Sequence, residues 1–259
     1  MAITVYDPIQ ITKVVETKVL LEEKGIQKKQ YYRFRGGKWY GGIATADCIG
    51  CNLNCRFCWS WRFKNRYSIR KFYTPKQVAN ILEYISKKRG FSLTRVSGGE
   101  PTIGLSHLIT LIEILESKNL DFILETNGIL LGFDVNYAKK LAQFSNMHVR
   151  VSLKGTTPEE FHKLTGAFSS AFEFQLKALK NLLDFGISAH AAVMISFSTE
   201  EEFQYLKQRL EEIDPVLVNT LELEYVILYP HVVKILKKNK LKPNIALNPD
   251  GTPQKNLEW

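Results

Sequence analysis

Cys48-Ile49-Gly50-Cys51-Asn52-Leu53-Asn54-Cys55-Arg56-Phe57-Cys58-Trp59 holds every cysteine of this 259-residue chain. A disulfide framework spreads its cysteines to staple distant segments. Four thiols crowded between Cys48 and Cys58 instead suit a metal site in a reducing compartment. The gaps of two, three and two residues let thiolates converge, as an iron–sulfur cubane or a tetrahedral zinc requires. A zinc ribbon usually separates its two pairs by a longer insert. Cys51, Cys55 and Cys58 alone leave one iron of a cubane open, whereas all four close it for electron transfer only. In the three-cysteine reading, Cys48 is a spare thiol at the end of a strand.

Outward from this loop the chain alternates strands and helices. Asp7 and Pro8 open a helix expected to reach Glu23, with Gly25 just beyond, and a β-prone segment Gln30–Phe34 follows before Gly36 and Gly37 break the chain. Strands are expected at Trp39–Thr45, Leu93–Ser97, Asp121–Glu125, His148–Leu153, Ile187–Ile195 and Leu221–Leu228. Helices are expected from Thr74-Pro75 to Gly90 and over Ser106–Ser117, Val135–Phe144, Pro158–Leu164, Ala171–Asp184, Glu200–Ile213 and Pro230–Lys238. Ser198 and Glu201 read as a capping box for the helix at Glu200. Six strands, each followed by a helix, imply parallel strands and right-handed crossovers. Near-continuous apolar runs such as Ala191–Ile195 suit strands covered on both faces. The predicted fold class is α/β: an open, TIM-like partial (βα)6 barrel preceded by an N-terminal helix and strand. Residues 1–38 form the extension, 39–239 the barrel and 240–259 an irregular tail. In such folds chemistry sits at the carboxyl ends of the strands.

The spacing Cys51-x3-Cys55-x2-Cys58, with Phe57 before the last cysteine, resembles the signature of the radical S-adenosylmethionine (SAM) superfamily. That resemblance implies a single [4Fe–4S] cluster on these three residues and SAM chelated at the open iron. Reductive cleavage of SAM would then yield a 5′-deoxyadenosyl radical that abstracts hydrogen from a substrate. Gly98-Gly99-Glu100-Pro101, at the next strand end, matches the element that binds the SAM amino group in this superfamily. Glu125-Thr126-Asn127-Gly128, Ser152-Leu153-Lys154-Gly155 and Pro158–Gly166 are similar to elements of its activating-enzyme branch, which includes pyruvate formate-lyase activase. Tyr229-Pro230-His231 is similar to a Pro-Tyr-His element there, with two residues exchanged. The resemblance thus adds Thr126, Asn127, Ser152, Lys154 and His231 to the SAM site: Ser152 and Lys154 near ribose and carboxylate, His231 near adenine. Members with Asp at both strand ends can hold a monovalent cation. Glu125 and Ser152 stand there in this chain, which removes one charge.

No cysteine beyond Cys58 is available for a second cluster, which argues against sulfur insertion and against the sulfatase- and peptide-maturing groups. The formal charge is +9. Basic residues interleave with aromatics over Lys28–Arg35 and Trp59–Tyr73, a pattern that suits nucleic acid or simply a solvated face. Apolar runs such as Leu105–Leu115 are too short to cross a membrane, and the N-terminus lacks signal-peptide features. A cytoplasmic protein with no membrane partner is expected. An undecorated barrel mouth favours a macromolecular substrate: a glycyl-radical protein, or an RNA as in the wyosine-base synthases, whose extra upstream cysteines this chain lacks. A one-electron reductant such as ferredoxin or flavodoxin completes the partners. A non-catalytic four-cysteine electron carrier is the alternative from another class.

Overall fold

The computed structural model describes residues 5–69, 71–255 and 257. Asp7 caps α1 (Pro8–Val19), its carboxylate accepting from the Ile9 N–H at 2.8 Å. The helix stops at Val19 rather than Glu23. Lys24 and Gly25 both have positive φ and form a two-residue turn. It folds β1 (Leu20–Glu23) back on β2 (Ile26–Gly37), so the expected segment Gln30–Phe34 is the middle of a longer strand. β2 then runs antiparallel to β3 (Ile43–Cys48). β3 starts later than expected because Trp39–Gly41 is a turn and Gly42 has φ 141°, where a Cβ would meet the Phe91 ring at 2.5 Å.

One helical turn, α2 (Trp61–Lys64), and the short β4 (Phe72–Tyr73), paired with β2, follow the cysteine loop. Thr74 and Gln77 form a capping box on α3 (Pro75–Arg89), which Gly90 ends in the left-handed conformation. Next come β5 (Leu93–Ser97), α4 (Leu105–Glu116), β6 (Asp121–Thr126), α5 (Ile129–Phe133) and α6 (Asn136–Leu141). They lead to β7 (Met147–Leu153), α7 (Pro158–Thr165), α8 (Phe172–Asp184), β8 (Ala189–Met194) and α9 (Glu200–Glu211). The described chain ends with α10 (Val216–Asn219), β9 (Glu222–Glu224), α11 (Pro230–Lys238), β10 (Ile245–Leu247) and β11 (Pro253–Lys255).

β3, β5, β6, β7, β8 and β9 lie side by side in that order, all parallel, and β2 and β1 extend the sheet past β3. This is the expected α/β partial barrel, with an antiparallel hairpin in place of the single N-terminal strand. Four details differ from expectation. Thr199 and Glu202, not Ser198 and Glu201, form the capping box of α9; Ser198 is buried and donates to Glu160. The expected helix Val135–Phe144 is the shorter α6, and an unexpected short helix, α5, precedes it and packs on α8. β9 leaves the sheet after Glu224, and the chain bridges from Ile227 to Leu247. The tail, expected to be irregular, therefore carries the β10–β11 hairpin against the last unit. Among the described residues no helix is long and apolar enough to cross a membrane.

The core lies between the sheet and helices α3 to α9, with Val96, Leu124, Val149, Val151 and Val193 buried beneath them. At its edge His107 of α4 is 1% exposed, its Nδ1 donating to Gln27 O at 2.9 Å and its Nε2 accepting from Tyr31 Oη at 3.0 Å. Burial pushes His107 down to about 4. An unfolded histidine titrates near ~6.5, so between these values the unfolded chain binds the extra proton. The stability held in neutral His107 is complete above about pH 6.5 and is lost as pH falls toward 4. The unfolding free energy from urea titrations should therefore drop across this window by up to roughly 3 kcal/mol. His107→Gln should flatten that drop; an unchanged pH profile in the variant would refute the assignment.

Candidate active site

The cysteine loop leaves the carboxyl end of β3 and is pinned from several sides. Gly50 has φ 95°, and a Cβ there would meet Val15 at 2.7 Å and Val19 at 2.9 Å, so the loop packs on α1. Asn52 Nδ2 donates to Thr12 Oγ1 at 3.1 Å, and the Asn54 N–H donates to Tyr6 Oη at 2.8 Å. Lys64 is buried and donates to Leu53 O at 2.6 Å and Asn54 Oδ1 at 3.2 Å. Cys51 and Cys58 are half-buried, and Cys55 is buried. N–H groups of Leu53 and Asn127 approach Cys51 Sγ at 3.5 and 3.8 Å. Cys48 is fully buried at the end of β3, among the charges of Lys29, Glu100 and Asp47.

Gly98-Gly99-Glu100-Pro101 is zipped to that loop. The Gly99 N–H donates to Cys48 O at 3.0 Å and the Glu100 N–H to Gly50 O at 2.7 Å. A Cβ on Gly99 would lie 2.2 Å from Gly50 O. The glycine is thus required by contact between the two loops. Glu100 is 2% exposed and its carboxylate is saturated from within: Thr102 N–H and Oγ1, Thr126 Oγ1 and the Asn127 N–H all donate to it. It ties the end of β5 to the end of β6. Asn127 then reaches the cysteine loop by donating to Asn52 Oδ1 at 2.8 Å.

The sequence reading missed Lys29 of β2, which is 1% exposed. Its ammonium donates to the carbonyls of Glu100, Pro101 and Ile103 at 2.8, 3.0 and 2.6 Å. It also missed the lumen. Strand alternation sends Arg95, Glu125, Arg150, Glu222 and Glu224 to one face. Arg95 pairs with Glu125 at 2.6 Å, and Tyr40 Oη donates to the same carboxylate at 3.0 Å. Arg150 pairs with Glu222 at 2.7 Å and Glu224 at 3.0 Å. Arg150 and His190 hold Glu222 down at about 2. Burial pushes Glu224 up, but Lys154 and Arg150 outweigh it and leave its carboxyl below the usual range. Ser152 Oγ donates to Glu224 Oε2 at 2.6 Å, and Lys154 Nζ donates to Ser152 Oγ. The structure thus brings Ser152 and Lys154 together at the top of this ladder. His231, at the start of α11, stands apart from them, with Nε2 2.8 Å from Trp59 O beside the last cysteine.

The model of the Radical SAM superfamily matches residues 48–210. The chain belongs to this superfamily. As a radical SAM protein it uses a [4Fe–4S] cluster and SAM. The probable GTP 3′,8-cyclase of Methanococcus aeolicus is 37% identical over 121 residues, 45% of this chain and 38% of that protein. Its counterpart from Pyrobaculum aerophilum is 30% identical over 155 residues, 59% of this chain and 47% of that one. The chain spans less than half the length of these two relatives. Among solved structures, TYW1 with a lysine-pyruvate adduct bound matches with a TM-score of 0.52 at 16% identity, over 92% of this chain and 91% of that one. Streptococcus suis SuiB bound to precursor peptide SuiA matches at 0.53 and 21% identity, over 64% of this chain and 35% of that one. Both are likenesses of fold.

Three thiols on one loop are the donor set a thiolate-held cluster needs, although among the described residues no three such groups are gathered closely enough to hold a metal ion. Cys55 lies close enough to Cys51 and Cys58 for their charges to bear on one another. Burial pushes both Cys51 and Cys55 up, Cys51 to about 12, with Lys64 opposing at Cys51 and Lys154 at Cys55. Bare thiols here keep their protons, and a bound metal displaces them. The flanking ammonium groups and N–H donors suit the resulting negative cluster.

Proposed function

We propose that this chain is a single-cluster radical SAM enzyme acting on a small, charged substrate seated in the barrel lumen. Cys51, Cys55 and Cys58 hold the cluster. Gly98, Gly99, Glu100, Pro101, Thr126, Asn127, Ser152, Lys154 and His231 form the SAM site, Glu100 by fixing the Thr126-Asn127 turn. When bound, the cluster and SAM supply a 5′-deoxyadenosyl radical that takes a hydrogen atom from the substrate. Lys154, beside Glu224 and Cys55, is placed to meet a carboxylate.

The observation that carries the substrate class is the ladder Arg95–Glu125 and Arg150–Glu222/Glu224. The Arg95 and Arg150 side chains are buried, and buried ion pairs rarely stabilise a fold better than apolar packing. Glu222 and Glu224 remain 44% and 25% exposed, open to a ligand's polar groups. That the curated relatives carry the name GTP 3′,8-cyclase supports a charged small molecule. A second reading is a macromolecular substrate, either a glycyl-radical protein, as for the activating-enzyme branch, or an RNA. The exposed rings of Trp39, Trp59 and Trp61 favour it.

The test is reconstitution without oxygen, addition of SAM and dithionite, and assay of 5′-deoxyadenosine with cell extract split by ultrafiltration. Stimulation by the small-molecule filtrate, with GTP tried first, is expected. Stimulation confined to the retained fraction would overturn the small-substrate reading, and its sensitivity to protease or nuclease would separate protein from RNA.

A further inference from the structure

The chain's positive charge is not spread evenly. No Asp or Glu occurs from Cys48 to Leu82, a stretch carrying Arg56, Arg62, Lys64, Arg66, Arg70, Lys71 and Lys76. None occurs from Tyr225 to Pro249, which carries Lys234, Lys237, Lys238, Lys240 and Lys242. These twelve cations exceed the formal net charge of +9, so the rest of the chain is slightly acidic.

The fold joins the two stretches. His231 of α11 bonds to Trp59 O, and positions 231, 234 and 238 share one face of that helix. Between α11 and the cysteine loop lies a surface cleft of about 290 Å³, lined by Asn54, Cys55, Arg56, Trp61 and Lys238 among others. None of its lining residues is acidic. Arg56 extends the basic rim by donating to Lys163 O at 2.9 Å, at the end of α7. Lys163, Lys234 and Lys238 are all exposed.

We propose that this cleft is the docking surface for an acidic one-electron carrier protein. The inference rests on the assignment of the cluster to Cys51, Cys55 and Cys58. Cys55 lines the cleft, so a partner seated there would stand against one of the residues assigned to the cluster. The partner gives up one electron and the cluster gains it, and no bond forms or breaks at the interface. A basic rim raises the encounter rate and orients an acidic partner, and salt screens it. An RNA would also answer to the charge, but access to Cys55 is of use only to a redox partner.

The experiment compares the reconstituted wild-type chain with the triple variant K163E/K234E/K238E. Flavodoxin, a small acidic flavoprotein, is titrated onto each at low and high salt, with tRNA as the competing polyanion. Charge reversal at three rim positions is expected to weaken flavodoxin binding by about ten-fold or more at low salt. Dithionite-driven 5′-deoxyadenosine formation and iron content should be unchanged, because these lysines lie outside the SAM site. Equal flavodoxin affinity in both proteins would overturn the proposal. So would loss of tRNA binding alone, which would assign the face to RNA. Low iron and no dithionite-driven cleavage in the wild type would instead refute the cluster assignment, independently of docking.

Discussion

Alanine at Cys51, Cys55 or Cys58 is expected to remove 5′-deoxyadenosine formation, by on the order of a thousand-fold, together with most bound iron. Alanine at Cys48 is expected to leave both intact. The contrast follows from position. Cys51, Cys55 and Cys58 sit on one loop, with the Leu53 and Asn127 N–H groups beside Cys51 and the Lys64 and Lys154 ammonium groups nearby. Cys48 belongs to β3, fully buried among Lys29, Asp47 and Glu100. Losing its sulfur costs packing, roughly 1 kcal/mol. Iron analysis and the visible absorption of the reconstituted variants decide the matter. Loss of the cluster in Cys48→Ala would overturn the three-thiolate assignment and revive the four-cysteine electron carrier.

Where local chemistry decides, the sequence is readable to the residue. β5 is Leu93–Ser97 and α11 is Pro230–Lys238 as expected, because Gly90 and Pro230 mark their boundaries. The end of α1 is less readable. Leu20–Glu23 continues an acceptable helical pattern, and only pairing with Ile26–Lys29 makes it a strand. At α9 two overlapping capping boxes fit the sequence equally. The choice falls to Thr199 because buried Glu160 takes the hydroxyl of Ser198.

The site shows the same division. The motif residues were legible because their spacing is local, and the fold brings four strand ends together at the cysteine loop. What several of them do was less legible. Gly99 is needed for the approach of the Cys48–Gly50 backbone, and Glu100 spends its carboxylate on Thr102, Thr126 and Asn127. The lumen charges, missed in the sequence, left one signal there: Arg95 and Arg150 interrupt apolar strands at alternate positions. Their partners lie in strands far along the chain, as Glu222 does from Arg150. No sequence-local rule pairs such residues.

Lys29 is the extreme case, and Lys29→Met is expected to have the second large effect. Its neighbour Lys28 is a partly exposed lysine paired with Glu23 across the β1–β2 turn. Such a pair contributes roughly 0–1 kcal/mol, so Lys28→Met should change little. One position on, the side chain points inward and the ammonium is enclosed by three carbonyls of the Glu100–Ile103 turn. Burial lowers the pKa of Lys29, while the charges of Cys48 and Glu100 oppose that shift. Methionine keeps the length of the side chain but offers no proton, leaving three carbonyls unsatisfied and removing a cation whose charge bears on Glu100. Removing one side of a buried polar cluster costs about 3–5 kcal/mol. The same turn carries Glu100 and, through it, Asn127 beside Cys51, so the damage is not confined to stability. SAM affinity of the reconstituted protein should fall with the melting temperature in Lys29→Met and hold in Lys28→Met. Thermal denaturation and SAM titration measure the two effects separately. A Lys29→Met protein with wild-type melting and wild-type SAM affinity would show that β2 merely flanks the site, whereas the observed bonds make it the strut that sets the height of the Gly98–Pro101 loop over the cysteines.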